Sequence, residues 1–153
     1  MADTIRELII QDLVAQLETL TIVNGYNTSV GQIVQRGLIP LDMTQQAAAV
    51  FVQPGVESAE REYGDQVLTM PVQIDAVHSL GGDNASVLGE QVLGDLLSCL
   101  IGGRDNISRI ESLVYSSGGI EDYPAKEDQL LWVQMSIEIT YITVLGDPYS
   151  QPT

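Results

Sequence analysis

From Leu131 to Tyr141 apolar and polar residues alternate without a break: Leu131, Val133, Met135, Ile137, Ile139 and Tyr141 against Trp132, Gln134, Ser136, Glu138 and Thr140. Successive side chains of a strand point to opposite faces, so this run predicts one extended strand with a dry side and a polar side. A second stretch keeps the same period, with Leu68, Met70, Val72, Ile74 and Ala76 against Thr69, Pro71, Gln73 and Asp75. Pro71 cannot donate to a ladder, which predicts an edge position or a bulge. Two such strands require a sheet and apolar cover for one side of it.

Two amphipathic helices supply the cover. The first is predicted over about 4–20, where Ile5, Leu8, Ile9, Leu13, Leu17 and Leu20 form one stripe and Thr4-Ile5-Arg6-Glu7 fits a capping box. The second is predicted over about 85–101. Its stripe is Val87, Leu88, Val92, Leu93, Leu96, Leu97, Leu100 and Ile101, with Gly81-Gly82-Asp83-Asn84 before it and Gly102-Gly103 after. Asn24-Gly25 marks a turn, and residues 26–35 read as a short irregular strand with Gly31 a bulge. A loop through Arg36-Gly37 and Pro40 leads to an apolar strand over 47–53. That strand and the one from Leu68 flank the acid-rich stretch 53–65, which predicts a long-tipped hairpin. Residues 110–115 form another strand, followed by a loop at Ser117-Gly118-Gly119 and Asp122-Tyr123-Pro124.

The predicted order is α-β-β-β-α-β-β: an α+β two-layer sandwich, with an antiparallel or mixed sheet and both helices on one face. With 153 residues and no repeat, linker or low-complexity tract, one domain is expected over 1–153, closing in a short polar tail at about 147–153. The sheet face carrying Gln73, Asp75, Gln134, Ser136 and Glu138 is left uncovered. It is expected to face water, a neighbour or a channel.

Charge narrows the partners. Six Lys and Arg against 21 Asp and Glu give a net charge of −15 and a pI near 4.1. Such a chain does not hold nucleic-acid phosphates through counterion release, and anionic membranes repel it. Nucleic acid passing nearby without sticking is still permitted. An apolar content of 44% with mean hydropathy +0.12 argues against disorder, and no apolar run approaches the ~20 residues of a membrane span. The start, MADTIRELII, lacks a signal-peptide apolar region, so a soluble protein retained in the cytosol is expected. One cysteine, Cys99, and one histidine, His78, exclude an internal disulfide and a Cys/His zinc cluster.

Signatures of catalysis are absent from the sequence: no G-x-S-x-G, Walker loop, G-x-G-x-x-G after a strand, or H-E-x-x-H. His78 and Ser79 are neighbours on a strand end and point to opposite faces, so His78 is poorly placed to activate that hydroxyl. Cys99, near the C-terminal end of a helix, lacks the basic neighbour a thiolate needs and reads as a structural thiol. Asp83-Asn84 reads as a helix cap. The acids Glu57, Glu60, Glu62 and Asp65 match neither a paired-carboxylate hydrolase nor a calcium loop; a solvated or partner-contacting loop is expected. Trp132 is either a packed edge or an interface anchor, and Tyr149, after Pro148, is either incidental or part of a docking segment. No catalytic, metal or cofactor residue is predicted.

The phrases Asn24-Gly25-Tyr26-Asn27-Thr28 and Arg36-Gly37, the hairpin Tyr63-Gly64 before Thr69-Met70-Pro71-Val72, and the ending Thr140-Tyr141 to Gly146-Asp147-Pro148-Tyr149 occur in a telling order. Over nearly its whole length the chain resembles the tail terminator (tail completion) proteins of tailed bacteriophages. It departs from a typical member in its acidity and its longer acidic hairpin tip. The resemblance implies a ring, usually of six subunits, that caps the finished tail tube, stops its polymerisation and presents the surface where the head connector or neck docks. It implies a place at the head-proximal end of the virion tail, after assembly in the host cytoplasm, with DNA passing through the lumen unbound. Some of Asp75, Glu138 and the hairpin acids Glu57, Glu60, Glu62 and Asp65 are then expected to face the lumen. The hairpin tip and the tail with Tyr149 are expected against the adjacent subunit or the tube. Three other readings stay open: a neck or tube-forming subunit, a small cytosolic enzyme or ligand-binding α+β domain, and an acidic regulatory or DNA-mimic protein.

Overall fold

The computed structural model describes residues 2–37, 48–122 and 130–153. The features predicted at Pro40, Ala47 and Tyr123-Pro124 lie outside the described residues. Six strands form one mixed sheet: β1 (Val34–Arg36), β2 (Ala48–Pro54), β3 (Ser58–Glu62), β4 (Asp65–Ser79), β5 (Ser112–Asp122) and β6 (Leu130–Val144). Their order is β1-β2-β4-β6-β5, with β3 also against β4; β1 and β2 are parallel and every other pair is antiparallel.

The two alternating runs of the sequence are the paired central strands β4 and β6, in register from Asp65–Val144 to Ser79–Leu130. That register sets Met70 opposite Ile139, Val72 opposite Ile137 and Ile74 opposite Met135 on one side, all fully or almost fully buried. Helices α1 (Ile5–Glu18) and α2 (Ala85–Leu97) cover this side, giving the predicted α+β architecture. Ile9, Leu13 and Leu17 of α1 and Val92 and Leu96 of α2 lose all solvent contact, each contributing about 1.5–3 kcal/mol of gross driving force.

Local chemistry sets the helix ends. The Thr4 hydroxyl accepts from the Glu7 N–H at 3.1 Å, one half of the predicted capping box. The Glu7 carboxylate turns instead to Arg36, at 2.6 Å, and that hydrogen bond holds its pKa below the usual value. Asn84 caps α2, accepting from Ser86 and Val87. Beyond Leu97 the helix widens into one π turn over Ser98–Gly102. The stretch Ala85–Gly102 is long and apolar enough to cross a membrane by length and composition, yet its stripe packs against the sheet.

Several local expectations are corrected. The acid-rich stretch contains a strand, β3, so the hairpin is paired down to Glu62–Asp65 and closes through Tyr63-Gly64. Every β3 residue is exposed, leaving no apolar period to read. Both β2 and β3 pair with the same edge of β4, and the chain steps out between them at Gly55-Val56-Glu57. Pro71 sits opposite that step, in a central strand, and its carbonyl accepts from the Gly55 N–H at 2.7 Å. Its missing donor faces the gap, so neither a sheet edge nor a bulge is required. Of the strand predicted over 26–35 only β1 forms. Gly31 lies in a 3-10 turn, Val30–Gln32, its N–H on the Leu20 carbonyl at 2.9 Å. A Cβ there would stand 2.1 Å from the Leu17 carbonyl, so this glycine serves close approach and not a bulge. Strand β5 continues through the predicted loop at Ser117-Gly118-Gly119 by shifting register at Tyr115/Ser117 and Ile120/Asp122. The tail is fastened down: the Pro148 carbonyl accepts from Ile5 at 2.9 Å, and Gln151 donates to the Arg109 and Ile142 carbonyls.

Candidate functional site

The side of the sheet opposite the helices carries Ala49, Phe51 and Gln53 of β2, Gln73, Asp75 and Val77 of β4, and Trp132, Gln134, Ser136 and Glu138 of β6. No described helix covers it. At one end Ala49, Phe51 and Val77 are buried, with Ile33 and Trp132 packed against them, so the polar face holds a small apolar cluster of its own.

Asp75 borders that cluster and is 1% exposed. Its carboxylate accepts from the Trp132 indole at 3.1 Å, from the Gln73 amide at 3.0 Å and from the Gln53 amide. The residue lies on the predicted face, but the expected water-facing acid is an interior acceptor satisfied by three side chains. Trp132 is half-buried, combining the packing of an edge residue with a hydrogen bond that fixes its ring. Glu138, by contrast, is exposed, opposite Pro71 and Val114. With Gln53, Pro71, Gln73, Ser116 and Ser136 it borders a shallow cleft of about 370 Å³.

The hairpin prolongs this face. Register places Glu60 opposite Val67 and Glu62 opposite Asp65, in the same alternation as Gln73 and Asp75. Tyr63, between them at the tip, is 93% exposed and has a left-handed φ of 56°. Glu57 departs from the group. It turns to the helix side, 3.0 Å from the Arg6 guanidinium, and accepts from the Tyr141 hydroxyl, while Arg6 also donates to the Gly55 carbonyl at 2.7 Å. Burial, and then the bond to Glu57, push the Tyr141 phenol well above its usual range. A recess of about 280 Å³ lies beside these groups, whose charges and protons are spent on one another. Tyr149, 53% exposed, rides on the fastened tail.

The residues considered for chemistry are also placed. His78 donates from Nδ1 to the Ser79 carbonyl at 2.6 Å, with no bond to the serine hydroxyl. Cys99 is fully buried; burial raises its pKa, and its thiol donates to the Gln16 carbonyl at 3.2 Å. Among the described residues no group of three or more His, Cys, Asp or Glu is arranged to hold a metal. Sequence reasoning passed over Asp95, 3% exposed on α2, which accepts from the Thr28 N–H at 2.8 Å, its hydroxyl at 2.6 Å and the Asn27 N–H at 3.1 Å. The signal was there: an acid inside an apolar helical stripe, between Val92 and Leu96, has to find donors.

No family model matches the sequence, and no curated protein matches it. Among solved structures, the PVC sheath/tube terminator of an extracellular contractile injection system, in its extended state, is similar at 14% identity and a TM-score of 0.57, covering 100% of this chain and 61% of that chain. A chain of the virion of a native gene transfer agent particle matches at 12% identity and a TM-score of 0.46, covering 91% of this chain and 95% of that one. This chain spans about three-fifths of the length of the terminator, and at such identity the likeness is one of architecture. The fold is similar to that of a sheath/tube terminator.

Proposed function

We propose that this chain is the subunit of a ring that caps a tail tube, ends its polymerisation and offers the surface on which a head connector docks. The observation that carries the reading is the likeness of fold, over the whole of this chain, to a protein that terminates a sheath and tube. The sheet face that no described helix covers supports it, because a closed ring with heterologous contacts gives its exposed polar part, at Glu138, something to enclose. Six copies is the expected number. The face with Glu138 turns to the central passage, where carboxylates repel phosphates and let DNA slide. The hairpin with Glu60, Glu62 and Asp65 meets the tube. Trp132 and Tyr149 lie toward the adjacent subunit. The protein works at the head-proximal end of a virion tail, by shape and self-association and with no catalysis of its own.

Light scattering on concentrated protein, with electron microscopy of the same sample, tests this. Finite rings are expected, and rings added to growing tail tubes should halt elongation at the capped end. Open-ended polymers formed by the chain alone would make it a tube subunit instead. A strict monomer that turns over or tightly captures a metabolite would overturn the reading.

A further inference from the structure

We infer that Tyr63 is the anchor of the hairpin, an aromatic knob that seats in an apolar pocket with a basic rim on a tube subunit; the choice of the tube as partner rests on the function proposed above. Among the described residues two that are not glycine have a left-handed φ, Tyr63 at 56° and Arg109 at 72°. Arg109 is held there by its own fold: its guanidinium lies 3.4 Å from Asp12, and its carbonyl accepts from Gln151 at 2.9 Å. The Tyr63 side chain has no comparable reason to be where it is, since with 93% of its surface exposed the ring touches almost nothing of its own chain. Glycine or asparagine takes that backbone conformation at lower cost. A bulky aromatic kept at a strained, solvated turn points to a contact outside the chain.

The backbone beneath the ring is held firmly. The hairpin is laddered to its last pair, Glu62–Asp65, and the Gly64 carbonyl accepts from the Leu145 N–H at 2.9 Å. Little backbone ordering is left to do on binding, and tyrosine, with two side-chain torsions to fix, is among the residues that dominate interface energetics when buried in a partner's pocket. Glu60, Glu62 and Asp65 lie within three residues of Tyr63 on the same hairpin, so a complementary rim is basic. A second copy of this chain supplies one poorly. Of its six Lys and Arg, Arg6, Arg36 and Arg109 are paired with acids of their own chain, and Arg61 belongs to the hairpin itself; among the described residues that leaves Arg104, which shares its recess with Asp105 and Glu111. The partner is therefore a different protein.

The test uses the full chain with Tyr63→Gly, Tyr63→Asn and Tyr63→Phe, and tail tube purified from the same particle. Relieving the turn should leave Tm no lower in the first two variants, with a gain of about 2–4 °C expected. Ring formation by light scattering should be unchanged. Co-sedimentation with tubes should weaken by roughly 30-fold, the loss of one hot spot, while Tyr63→Phe stays near wild type. Full tube binding by Tyr63→Gly and Tyr63→Asn would overturn the inference and leave the capping function standing. Loss of ring formation in those variants would overturn it in favour of a second copy as partner. A wild-type chain that does not bind tubes would overturn both.

Discussion

The Tyr141 hydroxyl donates to Glu57 beneath the outward step between β2 and β3, and Arg6 of α1 closes the group from the other side. Burial, followed by the bond to Glu57 and repulsion from its charge, raises the phenol's pKa above the unfolded value of about 10. The folded chain therefore holds that proton more tightly than the unfolded one. Its contribution is complete below pH ~10 and is lost as pH rises past it. Buried Cys99, raised from an unfolded value of about 8.5, acts in the same direction. The denaturant midpoint should fall between pH ~8.5 and ~11. In Tyr141→Phe the fall above pH ~10 should be shallower, after a loss of about 1.5 kcal/mol at neutral pH for the missing hydrogen bond. Parallel curves for the two proteins would take the alkaline sensitivity away from Tyr141. The same residues show where sequence reading ends. Period-two alternation placed Asp75 on the polar face, but the groups that bury it, Trp132 and Gln53, come from other strands. Glu57 looked like its acidic neighbours because its partners lie 51 and 84 positions away.

At the level of elements, what could be read was what carried its own period. Strands β4 and β6 are each 15 residues long with one face buried along most of their length, and α1 and α2 display continuous stripes. Strand β3 has no buried side and takes its register from β4 and a tight turn. The far half of β5 includes Ser-Ser-Gly-Gly, a composition that reads as loop and forms strand because β6 supplies a ladder. Glycines were misread for a related reason, since a close approach and a bulge use the same residue. At Gly31 a Cβ would meet two backbone carbonyls, Leu17 at 2.1 Å and Leu20 at 2.8 Å. At Gly89 it would meet side-chain atoms of Ile120, Cδ1 at 2.3 Å and Cγ1 at 2.5 Å, with no backbone atom among the nearest neighbours. Gly31→Ala is therefore expected to cost about 2–3 kcal/mol, within the range for overpacked sites. Gly89→Ala should cost clearly less, because the helix propensity gained, up to about 1 kcal/mol, offsets part of the repacking. Denaturant melts of the two variants give the comparison. Equal losses would mean that the end of α1 yields as easily as an isoleucine side chain.

For the whole molecule, the two-layer architecture followed from local patterns, whereas the uncovered face was legible only as what the helices leave behind. In the proposed ring, what that face does depends on charge summed over the subunits. A chain at −15 carries a repulsive field of its own, reaching about 30 Å at 0.01 M salt and about 8 Å at 0.15 M. In a ring every substitution is repeated by symmetry, so Glu138→Lys exchanges a whole girdle of negative charges for positive ones. The site is exposed on the sheet, with Pro71 and Val114 beside it, and surface changes of this kind usually alter stability by no more than about 0.5 kcal/mol. Rings should therefore form normally. If the girdle lines the passage, lysine there attracts phosphates, and DNA should leave particles carrying Glu138→Lys more slowly than wild type. The delay should grow as salt is lowered, because contacts to phosphate weaken steeply with ionic strength. Ejection followed by a dye that lights up on released DNA, at low and at physiological salt, separates the cases. The same rate for both proteins at low salt would mean that Glu138 faces away from the passage and that the uncovered side of the sheet meets a protein neighbour.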